Sequence, residues 1–272
     1  MKITYLGTAA AEGAPAVFCG CEYCCEARRL GGKDIRTRSQ AIINDDLLID
    51  LPADTYSHFL NNGIEADKIK YLLITHSHQD HFYPDELQMR GGAYAHNMHT
   101  PELKVLCGDG AYKKLEGFLG VHAKVSVNCL QPFEKVDLGE YTVTPLPARH
   151  YMGDGALIYI IQGDKTILYA HDTGYLYDEV IDYIEKNQIK FDLISLDCTY
   201  INIPVSDTEG HMGLENIRRL LERLSLAGAV TGSTVKVINH FSHNAMPIQH
   251  KLEKQVENDG LLVAYDGFAI EI

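Results

Sequence analysis

The sequence predicts a mixed α/β fold: two sheets' worth of strands with helices over their outer faces. Three observations carry that expectation. Short β-branched and apolar runs dominate early and recur between amphipathic helices to the end of the chain. No Pro/Ser-rich linker, low-complexity tract or internal repeat divides the 272 residues, so one domain over 1–272 is expected. Residues that can hold a metal, namely Asp50, His76, His150, Asp172 and His240, fall where strands should end. A sheet presents a site at such positions.

The elements follow in order. "KITYL" (2–6), "QAIIN" (40–44) and "LLID" (47–50) read as short strands from their β-branched and apolar content. "PADTYSHFLNNG" reads as a helix, with Pro52 near its start and Gly63 as its stop. "IKYLLIT" (69–75) reads as a buried strand from its continuous apolar run, Tyr71 to Ile74. "YTVTPLP", "ALIYIIQ" and "KTILYAHD" give three strands between 141 and 172. "LYDEVIDYIEKN" places Val180, Ile181 and Ile184 on one helical side, and "FDLISLD" returns to a strand. In "HMGLENIRRLLERL" (211–224), Leu214, Ile217, Leu220, Leu221 and Leu224 recur at helical spacing. "TVKVINH" (234–240) is a strand, followed by a helix from about Pro247. "LLVAYDG" and "FAIEI" close the chain.

Composition narrows the class. Apolar residues make up 46% and charged residues 22%, which suits a globular chain with a sizeable core. No apolar run approaches the about 18 residues that a membrane span needs. "MKITYLGTAAAEG" reads as a strand and a loop, without the charged and then apolar regions of a secretory signal. A cytoplasmic location is therefore expected, and with it reduced thiols. Four of the seven cysteines lie in "FCGCEYCCEA", so metal binding or catalysis is favoured over disulfides. The formal net charge is −13 and no block of Lys or Arg is present, which argues against a large nucleic-acid partner.

The strongest chemical signal is "ITHSHQDHF", directly after a buried strand. His76 and His78 at H-x-H spacing put two imidazoles on one side of an extended segment, because side chains alternate with period two. The turn that follows can send Asp80 and His81 to an adjacent position, so one loop can begin two metal sites. A His-rich polar loop is the bland alternative. The tight H-x-H-x-D-H order after an apolar strand outweighs it.

These residues resemble the metallo-β-lactamase superfamily. The resemblance implies a four-layer αββα sandwich with a dinuclear site at one edge of the sheets. His150 after "VTPLPAR", Asp172 followed by Thr173-Gly174, and His240 after "VKVIN" match the later ligands in order, and Asp50 matches an early Asp that supports the histidine loop. By that resemblance His76, His78 and His150 hold one metal, Asp80, His81 and His240 the other, and Asp172 bridges. Zn²⁺ suits the His/Asp set, with Mn²⁺ or Fe²⁺ allowed. Two such metals about 3.5–4 Å apart supply a hydroxide and clamp an oxyanion.

Two further features resemble the phosphodiesterases of the PhnP type. "DTEGHMGLENI" offers His211, matching a His that stabilises the transition state or protonates the leaving oxygen; a helix-capping role is the alternative. "GTAAAEGAPAVFCGCEYC" matches their N-terminal motif. The resemblance implies a closed structural zinc on Cys19, Cys21, Cys24 and His243, the last lying three residues after His240. The implied activity is cleavage of a small, cyclic phosphodiester, with Asp80 orienting the nucleophile and His211 assisting the leaving group. The expected partner is that small anionic substrate, with no membrane and no large nucleic acid, and with a homodimer left open. A lactone or carboxylic-ester hydrolase on the same metals, a protein like the B component of pyrroloquinoline quinone biosynthesis, and a non-catalytic metal scaffold remain as alternatives.

Other residues carry weaker readings. Cys25 is an extra thiol without a role, and His171 precedes the bridging Asp. Tyr83 and Tyr151 flank ligands and are candidates for substrate contact. Cys107, Cys129 and Cys198 read as packed thiols. His58, His96, His99, His122 and His250 show no ligand pattern.

Overall fold

The computed structural model describes residues 1–116, 124–150, 155–244 and 246–272; Tyr151 and His122 lie outside them. The strands are β1 (Lys2–Gly7), β2 (Gln40–Ile43), β3 (Leu47–Ile49), β4 (Tyr71–Ile74), β5 (Leu103–Cys107), β6 (Val125–Cys129), β7 (Val136–Asp137), β8 (Thr142–Pro147), β9 (Leu157–Gln162), β10 (Thr166–Ala170), β11 (Leu193–Asp197), β12 (Val235–Asn239), β13 (Leu261–Val263) and β14 (Phe268–Glu271). The α-helices are α1 (Glu22–Leu30), α2 (Thr55–Asn62), α3 (Asp85–Gln88), α4 (Asp109–Glu116), α5 (Asp178–Lys186), α6 (Leu214–Leu226) and α7 (Gln249–Val256).

Two seven-stranded sheets form, in the orders β14-β1-β2-β3-β4-β5-β6 and β13-β12-β11-β10-β9-β8-β7. Period-two alternation splits each strand between two cores. Tyr159 and Ile161 of β9, Ile167 and Tyr169 of β10, and Ile3 and Tyr5 of β1 fill the space between the sheets. Ile158, Ile160 and Leu168 face outward under α5, α6 and α7. Leu48, Leu72 and Ile74 face the other way, with Leu87 of α3 and Leu115 of α4. The result is the expected αββα order of layers. Both faces of each sheet are covered, which is why β4, β9 and β11 read as apolar runs rather than alternating ones.

Strand direction gathers the site. β3, β4, β5 and β6 pair in parallel, as do β10, β11, β12 and β13. Their carboxyl ends therefore release the chain at a common edge, where open α/β sheets bind ligands. Asp50, Asp172 and His240 sit just past β3, β10 and β12 in the left-handed region, with φ of +67°, +52° and +62°.

Local boundaries differ in instructive ways. α2 begins at Thr55 rather than at Pro52, and Gly63 ends it in the left-handed conformation (φ +64°) as expected. α6 begins at Leu214, with Gly213 as its cap; the Asn216 side chain accepts the Gly213 N–H at 3.1 Å. His211 precedes the helix and is not its cap. α1, α3, α4, β5, β6 and β7 have no counterpart among the sequence expectations, being short or flanked by weak turn signals. No described helix is long and apolar enough to cross a membrane.

Candidate metal centre

The histidine loop is held from behind by Asp50. Its buried carboxylate accepts the Thr75 N–H at 2.8 Å and hydroxyl at 2.9 Å, and receives His81 Nδ1–H at 2.7 Å. That bond fixes the His81 tautomer and turns Nε2 into the site. Burial works against charge on His81, but the Asp50 and Asp80 carboxylates overcome it and raise its pKa well above the ordinary imidazole range. Lys114 adds a second support, donating to Ser77 O at 2.9 Å and Phe82 O at 3.0 Å at the two ends of the loop.

Two quartets of donors result. His76, His78, His150 and Asp172 form one, and Asp80, His81, Asp172 and His240 the other; within each, the donor atoms lie within 4.8 Å of one another. Asp172 belongs to both. Its Oδ2 is 3.0 Å from His76 Nε2 and 3.0 Å from His81 Nε2, and its Oδ1 is 3.2 Å from His150 Nδ1. Burial disfavours the Asp172 charge, yet His240 and His76 hold its pKa well below the carboxylate range.

These residues fit a divalent metal on two grounds. Asp172 Oδ1 and His76 Nε2 are buried and, with ionisable neighbours only 3.0–3.2 Å away, still make no well-formed hydrogen bond among the described residues, a costly state that a cation relieves. Imidazole nitrogens also face one another: His78 Nδ1 and His150 Nε2 at 3.1 Å, and His81 Nε2 and His240 Nε2 at 3.2 Å. Burial lowers the His150 pKa to about 4, which keeps it neutral and able to ligate. All seven residues expected at the centre are thus brought together.

His211 joins this cluster through a residue the sequence reading missed. Asp197 ends β11, fully buried, and its Oδ2 receives His211 Nδ1–H at 3.0 Å. Its Oδ1 accepts the backbone N–H groups of Thr199 and Met212, both at 3.0 Å. Thr199 Oγ1 lies 2.8 Å from His240 Nδ1, so one short segment orients both imidazoles. The signal was available: "FDLISLD" ends on a carboxylate, as "LLID" and "KTILYAHD" do. Burial opposes charge on His211, but Asp197 prevails and raises its pKa to about 9. Gly174 permits the arrangement. A Cβ there would sit 1.8 Å from the Glu209 carbonyl oxygen, on the segment that leads into His211.

The cysteine quartet also assembles. Donor atoms of Cys19, Cys21, Cys24 and His243 lie within 4.8 Å of one another, with Cys24 Sγ 3.4 Å and Cys21 Sγ 3.7 Å from His243 Nδ1. Cys21 caps α1, and the Cys24 backbone N–H together with His243 draws its thiol pKa down to about 6. The quartet lies near the surface, where it ties the N-terminal loop to the segment after His240: Cys24 is buried and Cys21 is exposed. Cys25 turns away, its Sγ 3.4 Å from Gly20 O.

The remaining readings divide. His171 packs on Tyr169 at 3.9 Å and pairs with Ser195 Oγ at 2.6 Å; burial drives its pKa well below the imidazole range, so it is a neutral core residue. His58 is likewise buried, between Gln40 and Thr37. Cys107 and Cys198 are packed thiols, but Cys129 is half-buried beside Asp109. Tyr83 is not part of the cavity over the centre; Tyr200 takes that place. This cavity of about 280 Å³ has His78, Asp80, His150, Asp172, His211 and His240 as its floor, and Ala10, Glu12, Ile203 and Asn244 in its walls.

Residues 48–241, more than half of the chain, match the family described as Beta-lactamase superfamily domain. Among curated proteins none matches. Solved structures share the architecture. A diphosphatase from the PhnP family is 20% identical, covers 100% of this chain and 97% of its own, and superposes with a TM-score of 0.75. Zn²⁺-bound PqqB from Methylobacterium extorquens is 17% identical over 100% of both chains, also at 0.75. The short form of human tRNase Z is 16% identical over 100% of this chain and 99% of its own, at 0.66.

Proposed function

The chain belongs to the metallo-β-lactamase superfamily, and from that membership we propose that it is a metal-dependent hydrolase that cleaves a small phosphodiester to a phosphomonoester. A cyclic phosphosugar or a 2′,3′-cyclic nucleotide is the substrate first in line. The observation that carries this reading is the placement of His211. It is held by buried Asp197 and lies 3.2 Å from the shared Asp172, on the floor of the same cavity. Hydrolysis of an alkyl phosphodiester expels a poor alkoxide, which needs a proton donor at that position. A structure of the same fold is described as a diphosphatase from the PhnP family, which belongs to the wider class of phosphoryl hydrolysis in which this reading lies.

His76, His78, His150 and Asp172 would hold one divalent metal, and Asp80, His81, Asp172 and His240 a second. Zn²⁺ or Mn²⁺ there would neutralise phosphoryl oxygens and lower the pKa of an attacking water. The chain's own residues do the rest. Asp50 and Thr199 lock the imidazoles that face the site. Asp80 accepts a hydrogen bond from the water and orients it in line with the breaking P–O bond. His211 gives its proton to the departing oxygen as that bond breaks, and the buried Asp197 holds the imidazole in place before and after transfer. A third metal, on Cys19, Cys21, Cys24 and His243, would be structural.

The test is a panel of bis(p-nitrophenyl) phosphate, cyclic phosphodiesters and lactones, run on protein stripped by a chelator and reloaded with Zn²⁺ or Mn²⁺. Phosphodiester turnover restored by reloading is expected. Turnover of lactones alone would overturn the reading in favour of a carboxylic-ester hydrolase.

A further inference from the structure

The walls of the cavity over the metal centre carry a charge that the reaction does not explain. Among the described residues no Lys or Arg lines it, whereas Glu12 does. Glu12 follows β1 in the loop Gly7–Gly13 and is one-third exposed. Its Oε1 accepts the Ser242 hydroxyl at 2.6 Å and stands 4.0 Å from His243 Nε2. Its Oε2 has no hydrogen-bond partner among the described residues. Ser242 Oγ also receives the Asn244 side chain at 3.0 Å, which fixes the hydroxyl and so the carboxylate.

A phosphate at the floor would meet the divalent metals that the two quartets would hold. A second anionic group placed against the wall beside Glu12 would meet its carboxylate, while the nearby Arg38, held on Ala11 O at 2.9 Å, is already paired with Asp54 at 3.0 Å. In a cavity partly screened from water, like charges a few ångströms apart disfavour binding by roughly tenfold or more. The same carboxylate oxygen is a strong acceptor for a hydroxyl, and a site that loses such a bond discriminates by roughly tenfold to several hundredfold.

We propose that Glu12 selects the part of the substrate that does not react: it receives a hydroxyl of a neutral, polyhydroxylated alcohol and rejects a second phosphate at that position. This rests on the phosphodiesterase reading and narrows it to singly phosphorylated cyclic esters of sugars or nucleosides.

The experiment compares two matched probes on the metal-loaded protein and on Glu12→Gln: ribose 1,2-cyclic phosphate with a free 5-hydroxyl, and the same compound carrying a 5-phosphate. The parent protein is expected to favour the hydroxyl probe in kcat/KM by about tenfold or more, and Glu12→Gln to narrow that ratio to within about threefold, chiefly through KM. A purely structural Glu12, acting through His243 or the loop, would lower both probes in proportion and leave the ratio intact. That result, or a parent preference for the 5-phosphate, overturns the proposal. Metal content per chain, measured on both proteins, checks that the quartets are equally filled. If bis(p-nitrophenyl) phosphate and both cyclic esters resist turnover, the phosphodiesterase reading itself falls. Calorimetric affinities for the two cyclic esters then decide Glu12: the same ratio and its narrowing in Glu12→Gln uphold the assignment, and equal affinities refute it.

Discussion

Gly174→Ala isolates the contribution of His211 without touching a ligand. The added Cβ would stand 1.8 Å from the Glu209 carbonyl oxygen, while such contacts are not found below 3.0 Å, so one side must retreat by more than an ångström. The Gly174 side is anchored: its N–H donates to Arg149 O at 2.7 Å, and Asp172 and Thr173 before it are buried. The Glu209 side is an exposed turn, so it moves and carries His211 with it. Misplacing a catalytic group by about an ångström lowers turnover by roughly 10²-fold. The overpacking should also destabilise the fold by about 1–3 kcal/mol. The assay is kcat on a phosphodiester alongside metal content per chain and a thermal melt. Turnover should approach that of His211→Ala while metal content holds. Parent-like turnover in Gly174→Ala would refute the coupling of this glycine to His211, and loss of metal would show that the ligand loop, not the His211 segment, gave way.

Three further outcomes are expected. His211 must carry its proton to act, so kcat/KM should fall as pH rises through about 9; in Asp197→Asn that limb should move to lower pH, with the largest loss in alkaline buffer, read from pH–rate profiles. Asp50→Asn replaces the carboxylate that holds His81 and should weaken metal affinity by roughly 10–100-fold, measured by competition with a chromogenic chelator. Cys21→Ser should lower metal content by one equivalent and reduce the melting temperature; unchanged content would remove the cysteine quartet as a metal site. Because the folded-state thiol pKa of Cys21 is depressed to about 6 from 9.0, its contribution to stability is full above pH 9 and is lost as pH falls through about 6.

The centre was legible where its residues are local in sequence. His76, His78, Asp80 and His81 share one loop, and the strand before it is apolar on both faces, so both element and motif stand out. His150, Asp172 and His240 were found through family order rather than spacing. Asp197 was passed over because a carboxylate at a strand end has no partner visible in sequence; its meaning depends on His211, fourteen residues on, folding back over β11. Glu12 was hidden more deeply, since its place in the cavity comes from pairing with Ser242, on the far side of the chain. The misplacement of His211 at a helix start has a simple cause. Gly213 and Asn216 make a cap of their own, which frees the residues before it for the site.

The left-handed backbone at Asp50, Asp172 and His240 bears on how this protein can change. Each costs of order 1–3 kcal/mol that a glycine would not incur, and each is a residue the metal centre uses. At Asp50 glycine would relieve that strain only by leaving the buried Thr75 and His81 donors unpaired, a larger loss than the strain itself. Glycine at residue 50 should therefore lower the melting temperature as well as metal affinity, so the strained backbone persists because the hydrogen bonds that need it outweigh its cost.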